Sequence, residues 1–332
     1  MARLRSSGIE MRRSVRNAIL FVTAVAWLVA VGCRREAAPT TRGAGELNIL
    51  CTFLPVYVFT LNVVGDTPGV RVEMLVSRDA GCPHHYTLRP ADLRRVAHAD
   101  VIIANGIGAE PFLDDLTKSN PKARLITIAD ECDVLAEAGG PAAGHGDGET
   151  RGPHEHLHGP VNPHVWVSPA EAIKEVRTLA RKLSEADPAR AAQYRANAET
   201  YVTRLEALDR RMREAAKGFA HRKIVTFHSA FAYLARDLGL DVVATLEVEP
   251  GQEPSAHRMA EIIDIVRKTH APIFSEPASS DAVARTIARD AGVPVFPLNP
   301  FNSLDAAPRA DSYERVMTAN LETLRRALEV AR

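Results

Sequence analysis

The chain has 332 residues, 46% hydrophobic and 25% charged, with 41 basic side chains against 41 acidic ones. That length accommodates two domains and a sizeable core. Residues 1–32 hold five Arg and one Glu, which leaves 36 basic against 40 acidic residues in the remainder, a balance that, with no basic run, argues against nucleic acid as a partner.

The N-terminus reads as a targeting segment. "MRRSVRN" is basic, and "AILFVTAVAWLVAVG" is an apolar run that is short for a membrane span and stops at Cys33. Residues 1–32 are expected to be a lipoprotein signal peptide, because "AVGC" looks like a lipobox, whose cleavage leaves Cys33 N-terminal and lipidated. Residues 33–46, "CRREAAPTTRGAGE", read as a flexible tether. The expected location is therefore outside the cytoplasm, on the periplasmic or extracellular face, with a lipid anchor in a membrane. Cys51, Cys82 and Cys132 remain. In an oxidising compartment, three cysteines suggest one disulfide and one free thiol. No CxxC is present, which argues against a cysteine-type structural zinc site.

The body begins with a buried-strand pattern, "ELNILCTF", and a helical stretch from about Pro55 to Val64. "VRVEMLV" is a second strand, "RPADLRRVAHA" a helix, "DVIIANG" a third strand and "ARLITIA" a fourth. Strands alternating with helices predict parallel βαβ units, so residues 47–168 are expected to form an N-terminal α/β lobe. Within it, residues 139–163 lose all periodicity and are rich in Gly, Pro and His, the composition of a long loop. Residues 169–217 read as helical. Ser168 is a good N-cap, Pro169 suits the first helical position and Glu171 completes a capping-box pattern. Asp187-Pro188 breaks that helix, and a second of roughly 40 Å follows, long enough to link two lobes. Residues 218–332 repeat the alternation, from "RKIVTFH" to the closing helix "SYERVMTANLETLRRALEVA". The expected fold is α/β: two lobes, each a parallel sheet flanked by helices, joined by a long backbone helix.

Of 12 histidines, five fall between His145 and His164. His84 and His85 follow a Gly-Cys-Pro turn, His164 lies in "NPHVWVSP", and His228 ends the apolar strand "KIVTF". In open α/β sheets ligands gather beyond the carboxyl ends of strands, which is where His84, His164 and His228 fall. A lone loop histidine is ordinarily a polar surface residue; several converging imidazoles suit a borderline-soft divalent ion such as Zn²⁺. His98, His221, His257 and His270 read as helix-surface or terminal residues, and Gly106 and Gly108 as a tight turn rather than a nucleotide loop.

These motifs together resemble the zinc/manganese-uptake solute-binding proteins of ABC transporters, the TroA-like and ZnuA-like lipoproteins. The resemblance covers nearly everything after residue 46 and rests on "PHHYTLRPADLRRVAHADVIIANG", the His-rich loop, "NPHVWVSP", "TFHSAFAYLARDLGL", "EPSAHRMAEII" and "IFSEP". It implies three metal ligands, His84, His164 and His228, with His85 nearby or in solvent. A histidine at 228 implies a zinc-type member. The family's usual fourth ligand is an Asp in Leu-Asp-Pro, and here "PLNPF" puts Asn299 at that place. The fourth position is therefore left open between Asn299, water and Glu276 of "FSEP". Cys51 and Cys82 are a candidate disulfide flanking the site.

In the loop, "HEHLH" and its neighbours place His145, His154, His156 and His158 in a chain that must be ordered to bind, so they are expected to hold further zinc weakly. The resemblance implies a monomer that is not an enzyme, captures Zn²⁺ as transported ligand between its lobes, and delivers it to the membrane subunits of an ABC permease. The alternatives are a manganese-binding member of the same family and a zinc-dependent hydrolase. The latter needs a general base, and the sequence has no HExxH.

Overall fold

The computed structural model describes residues 45–78, 80–137, 161–247, 254–277 and 281–329. The first lobe runs β1 (Leu47–Cys51), α1 (Leu54–Val64), β2 (Val70–Met74), α2 (Pro90–Val96), β3 (Val101–Ala104), α3 (Leu113–Ser119) and β4 (Arg124–Thr127). Its strands form one parallel sheet in the order β2-β1-β3-β4. Two long helices follow, α4 (Pro169–Ala186) and α5 (Ala191–Ala216). The second lobe then runs β5 (Lys223–Thr226), α6 (Ala232–Leu238), β6 (Asp241–Thr245), α7 (Ala256–Thr269), β7 (Ile273–Ser275), α8 (Ala282–Ala291), β8 (Val295–Pro297) and α9 (Ser312–Leu328). Its sheet is also parallel, in the equivalent order β6-β5-β7-β8. The expected pair of parallel sheets with a long helix is what the chain forms.

Parallel sheets need cover on both faces, which is why β3 reads as a continuous apolar run and is buried at every position. Helix α5 has 26 residues, a rise of about 39 Å. It packs along α4 and touches α1 in the first lobe and α6 and α9 in the second. A single apolar core follows it, from Ile49 and Phe59 through Tyr194, Tyr201 and Leu205 to Phe274, Tyr313 and Leu321. A separate cluster, with Val225, Ile262, Val266, Ile273 and Ile287, lies under α7 and α8.

Two local expectations change. Ser168 does cap α4, accepting from Glu171 N at 3.2 Å, but the reciprocal half of the capping box is missing. The Glu171 carboxylate instead accepts from Asp133 N at 3.0 Å and from Arg236 at 2.7 Å, because a guanidinium compensates the charge of a buried carboxylate and the Ser168 amide does not. The suggested disulfide is also absent: Cys51, Cys82 and Cys132 are all free thiols. Cys51 is fully buried in β1, where burial pushes its thiol up to about 12, while Cys82 sits in the loop that carries His84.

Residues 1–32, the tether from Cys33 to Ala44, the side chain of His85, and His145, His154, His156 and His158 lie outside the described residues. Among the described residues no helix is long and apolar enough to cross a membrane.

Candidate metal centre

Each sheet has one point where the chain order reverses, between β1 and β3 in the first and between β5 and β7 in the second. Loops diverge there and leave a crevice at the carboxyl ends of the strands. The candidate histidines come from loops at these ends. His84 lies in the single 3-10 turn Pro83–His85 after β2, His164 precedes the turn Val165–Val167 that leads into α4, and His228 directly precedes the turn Ser229–Phe231 after β5.

The His84 turn is held from behind. Tyr86 N donates to Pro83 O at 3.1 Å, and the Tyr86 hydroxyl donates to Asp92 Oδ2 at 2.8 Å. The same oxygen accepts from Arg89 N at 2.9 Å, where α2 begins. Burial pushes the Asp92 carboxyl up, but these donors outweigh it and hold it below its usual range. The segment "HHYTLRPAD" is thus one clamp, with an ionised carboxylate at its centre.

His164 is 3% exposed. Its backbone N–H and its ring Nδ1 both meet Asn162 Oδ1, at 3.0 and 2.8 Å. The backbone can only donate, so the Asn162 atom is the oxygen and the ring Nδ1 must carry a proton. That leaves Nε2 as a bare lone pair. Asn162 Nδ2 donates to Ser229 O at 2.8 Å, tying the His164 loop to the His228 loop. Trp166 fixes the other side, donating from Nε1 to Pro300 O at 2.8 Å and packing edge-on against Phe53.

His228 is oriented in the same manner by a stronger acceptor. Its Nδ1 bonds Glu276 Oε1, at the end of β7 across the reversal point. Glu276 is 3% exposed, and its Oε2 lies 3.5 Å from Asn302 Nδ2. Nε2 of His228 then faces Nε2 of His164 at 3.3 Å, with ring centroids 4.9 Å apart. His84 completes the row, its ring 5.1 Å from that of His164. Cys82, two residues before His84, places Sγ 3.8 Å from His164 Nε2. The ligand atoms of Cys82, His84 and His164 all lie within 4.8 Å of one another.

The electrostatics of the two facing rings diverge. Burial, then the neighbouring His228 and His84, hold His164 well below the ordinary imidazole range. Burial pushes His228 down as well, but the Glu276 carboxylate overcomes it and holds the ring up at about 10. Of the facing pair, His228 is thus the ring whose surroundings favour a proton, and a cation entering between them competes with that proton.

The structure places the His84 and His228 rings beside that of His164, with centroids 5.1 and 4.9 Å away. Asn299 is engaged elsewhere: its Nδ2 donates to Ser303 O at 3.0 Å and its Oδ1 accepts from Phe301 N at 2.8 Å, bracing a turn in which Phe301 has a left-handed φ of 58°. Sequence reasoning weighed Cys82 only as a disulfide partner and overlooked Asn162. The signals were present in "CPH" and "NPH", each a polar side chain two residues before a candidate ligand.

The scaffold is a two-lobed α/β fold with imidazoles gathered near the carboxyl ends of both sheets. The chain belongs to the ZnuA family, "Zinc-uptake complex component A periplasmic", which it matches over residues 49–327. It is 33% identical over 317 residues to the zinc-binding lipoprotein AdcA of Streptococcus pneumoniae (strain TIGR4), covering 93% of this chain but only 60% of that protein. The chain thus spans less than two thirds of the AdcA relatives it matches. Against the high-affinity zinc uptake system protein ZnuA of Bacillus subtilis it is 29% identical, over 94% of this chain and 97% of the relative. A crystal structure of a ZnuA deletion mutant with zinc bound superimposes with a TM-score of 0.72 at 27% identity, covering 86% of this chain and all of the other. Members of this family are the substrate-binding parts of transporters.

Proposed function

We propose that the protein captures Zn²⁺ outside the cytoplasm and delivers it to the membrane subunits of an ABC permease, with His84, His164 and His228 as ligands. One observation carries this reading: two ring nitrogens meet at 3.3 Å while each ring's other nitrogen is tied to an acceptor, Asn162 or Glu276. Zn–N bonds of about 2.0–2.1 Å at a tetrahedral angle put two nitrogens about 3.4 Å apart. The spacing therefore fits one ion between them once the proton on His228 is displaced, with both rings already oriented. Glu276 is occupied in orienting His228, which supports capture rather than hydrolysis, since a hydrolase needs its carboxylate free to activate water. Imidazole-rich coordination also favours zinc over the harder Mn²⁺.

In this reading Cys33 carries the lipid that keeps the monomeric receptor near its permease, and the tether to residue 46 sets its reach. His145, His154, His156 and His158 collect additional zinc weakly. The long helix α5, packed against both lobes, restricts hinge motion, so release to the permease involves modest loop and lobe shifts. The test is metal analysis of protein purified without added metal, followed by chelator competition with Zn²⁺, Mn²⁺ and Cu²⁺. One tight zinc equivalent, lost in His164→Ala, is expected. A preference for Mn²⁺, or tight zinc retained by His164→Ala, overturns the reading.

A further inference from the structure

We propose that the fourth donor to the bound metal is the Cys82 thiolate, so that the centre is a Cys-His₃ site selective for soft divalent ions. This rests on the proposed zinc site and names a ligand within it.

Three observations support Cys82. Its sulfur lies 3.8 Å from His164 Nε2, and its ligand atom shares one cluster with those of His84 and His164. With Zn–S of about 2.3 Å and Zn–N of about 2.0–2.1 Å, a tetrahedral angle puts sulfur and nitrogen about 3.6 Å apart. A small contraction around an ion closes the difference. Cys82 also immediately precedes the Pro83–His85 turn, so its sulfur and the His84 ring leave the same loop.

The other candidates are committed. Both side-chain ends of Asn299 are bonded within its own turn. Glu276 holds His228 by its ring nitrogen, and its remaining oxygen faces Asn302. Cys51 and Cys132 are elsewhere: the first is buried in β1, and the second has its sulfur 3.9 Å from Glu171 O beside α4.

The placement has a structural reason. Cys82 adopts extended backbone (φ −69°, ψ 135°) immediately before the Pro83–His85 turn. In that turn its side chain and that of His84 point into the same crevice, so one tight turn supplies two ligands. On binding, the thiol proton leaves to solvent as the metal–sulfur bond forms, and the ligand set gains one negative charge that three imidazoles lack. A thiolate favours Zn²⁺ and Cd²⁺ over Mn²⁺, which prefers carboxylate and water oxygen. The sulfur thus takes the role of charge compensation in a centre where residue 299 is a neutral amide.

The test is X-ray absorption at the zinc edge on the full chain loaded with one equivalent, comparing wild type with Cys82→Ser. Wild type is expected to show one sulfur scatterer at about 2.3 Å and nitrogen at about 2.0 Å, and the variant nitrogen and oxygen only. Replacing zinc with Co²⁺ should give a thiolate charge-transfer absorption in the near ultraviolet that Cys82→Ser removes. Chelator competition should show roughly tenfold or greater loss of zinc affinity in Cys82→Ser, with Mn²⁺ affinity nearly unchanged. Cys82→Asp, which keeps the charge but hardens the donor, should narrow the Zn²⁺/Mn²⁺ ratio. A wild-type spectrum with no sulfur shell overturns the inference while leaving the three-histidine site standing. Absence of any tight zinc in wild type overturns both.

Discussion

The two sheets share one topology, yet their reversal points are used differently. In the first lobe the gap between β1 and β3 is closed by a carboxylate: Glu110 Oε1 accepts from Thr52 Oγ1 at 2.7 Å and Asn105 N at 2.8 Å, and its Oε2 accepts from Gly106 N at 3.1 Å. In the second lobe the gap between β5 and β7 also holds a carboxylate, Glu276, but this one bonds an imidazole that points out of the gap. The same crevice is a plug in one lobe and a mount for an imidazole in the other. Acceptors facing backbone N–H groups only satisfy them; an acceptor facing a histidine orients the ring and sets which way its other nitrogen points. A repeated fold therefore does not imply a repeated use of its crevice, and in the first lobe the imidazole-bearing loop is the one after β2 instead.

The sharpest way to break the comparison is to remove the ring that both lobes share. His164 faces His228, His84 and Cys82, so His164→Ala should lower zinc affinity by roughly 100-fold or more, beyond the loss from either His84→Ala or His228→Ala. Chelator competition titrations on the three variants decide this; equal losses would mean that His164 is not central.

The two carboxylates should separate next. Glu276→Gln is expected to cost about 10-fold in zinc affinity, with little change in unfolding midpoint, because the ring keeps an acceptor but loses its charge. Glu110→Ala should do the reverse. It strands two backbone N–H groups and a hydroxyl in a buried site, a destabilisation of about 2–3 kcal/mol by urea unfolding, with zinc affinity near wild type. If Glu110→Ala damaged zinc binding more than folding, the plug and the mount would not be distinct.

A smaller effect concerns a third carboxylate, where α4 meets the core. Glu175 is fully buried, and neither oxygen has a hydrogen-bond partner. Burial, then the charges of Glu171 and Glu110, hold its carboxyl well above the ordinary carboxylate range. A raised carboxyl binds its proton more tightly in the folded state, so its contribution to stability is full below about pH 4.3, the unfolded value, and declines as pH rises through the folded one. Glu175→Gln should therefore flatten that decline, and at the high-pH end should stabilise the metal-free protein by about 1 kcal/mol. Unfolding curves over a pH series that starts below about pH 4.3 and rises from there test this, and an unchanged pH dependence would show that Glu175 is compensated in solution.

The smallest effect on the tight site is expected from deleting His145–His158. The flanks of that loop are pinned together: Ala136 bridges Val161, and Asn162 N donates to Leu135 O at 2.8 Å. The deletion should remove weak zinc equivalents and leave one tight equivalent in calorimetry. Loss of the tight equivalent would place a primary ligand in the loop.

The sequence by itself determined the alternation of strands and helices, the long α5, and the three histidines at strand ends. Those are local properties: apolar runs such as "VIIA" and "KIVT" name buried parallel strands, and an uninterrupted stretch without Gly or Pro names a long helix. The tertiary structure alone decided what surrounds each histidine. Glu276 lies 48 residues from His228, Ser229 lies 67 residues from Asn162, and Cys82 lies 82 residues from His164. Counting cysteines suggested a disulfide, but pairing needs proximity, and β1 buries Cys51 while the loop after β2 turns Cys82 toward the imidazoles. Likewise the sequence names Asn299 but not its partners: its side-chain oxygen accepts from Phe301 N in a turn with left-handed backbone at Phe301. Residue type sets which bonds a side chain is able to make; the folded neighbourhood sets which ones are left for a metal.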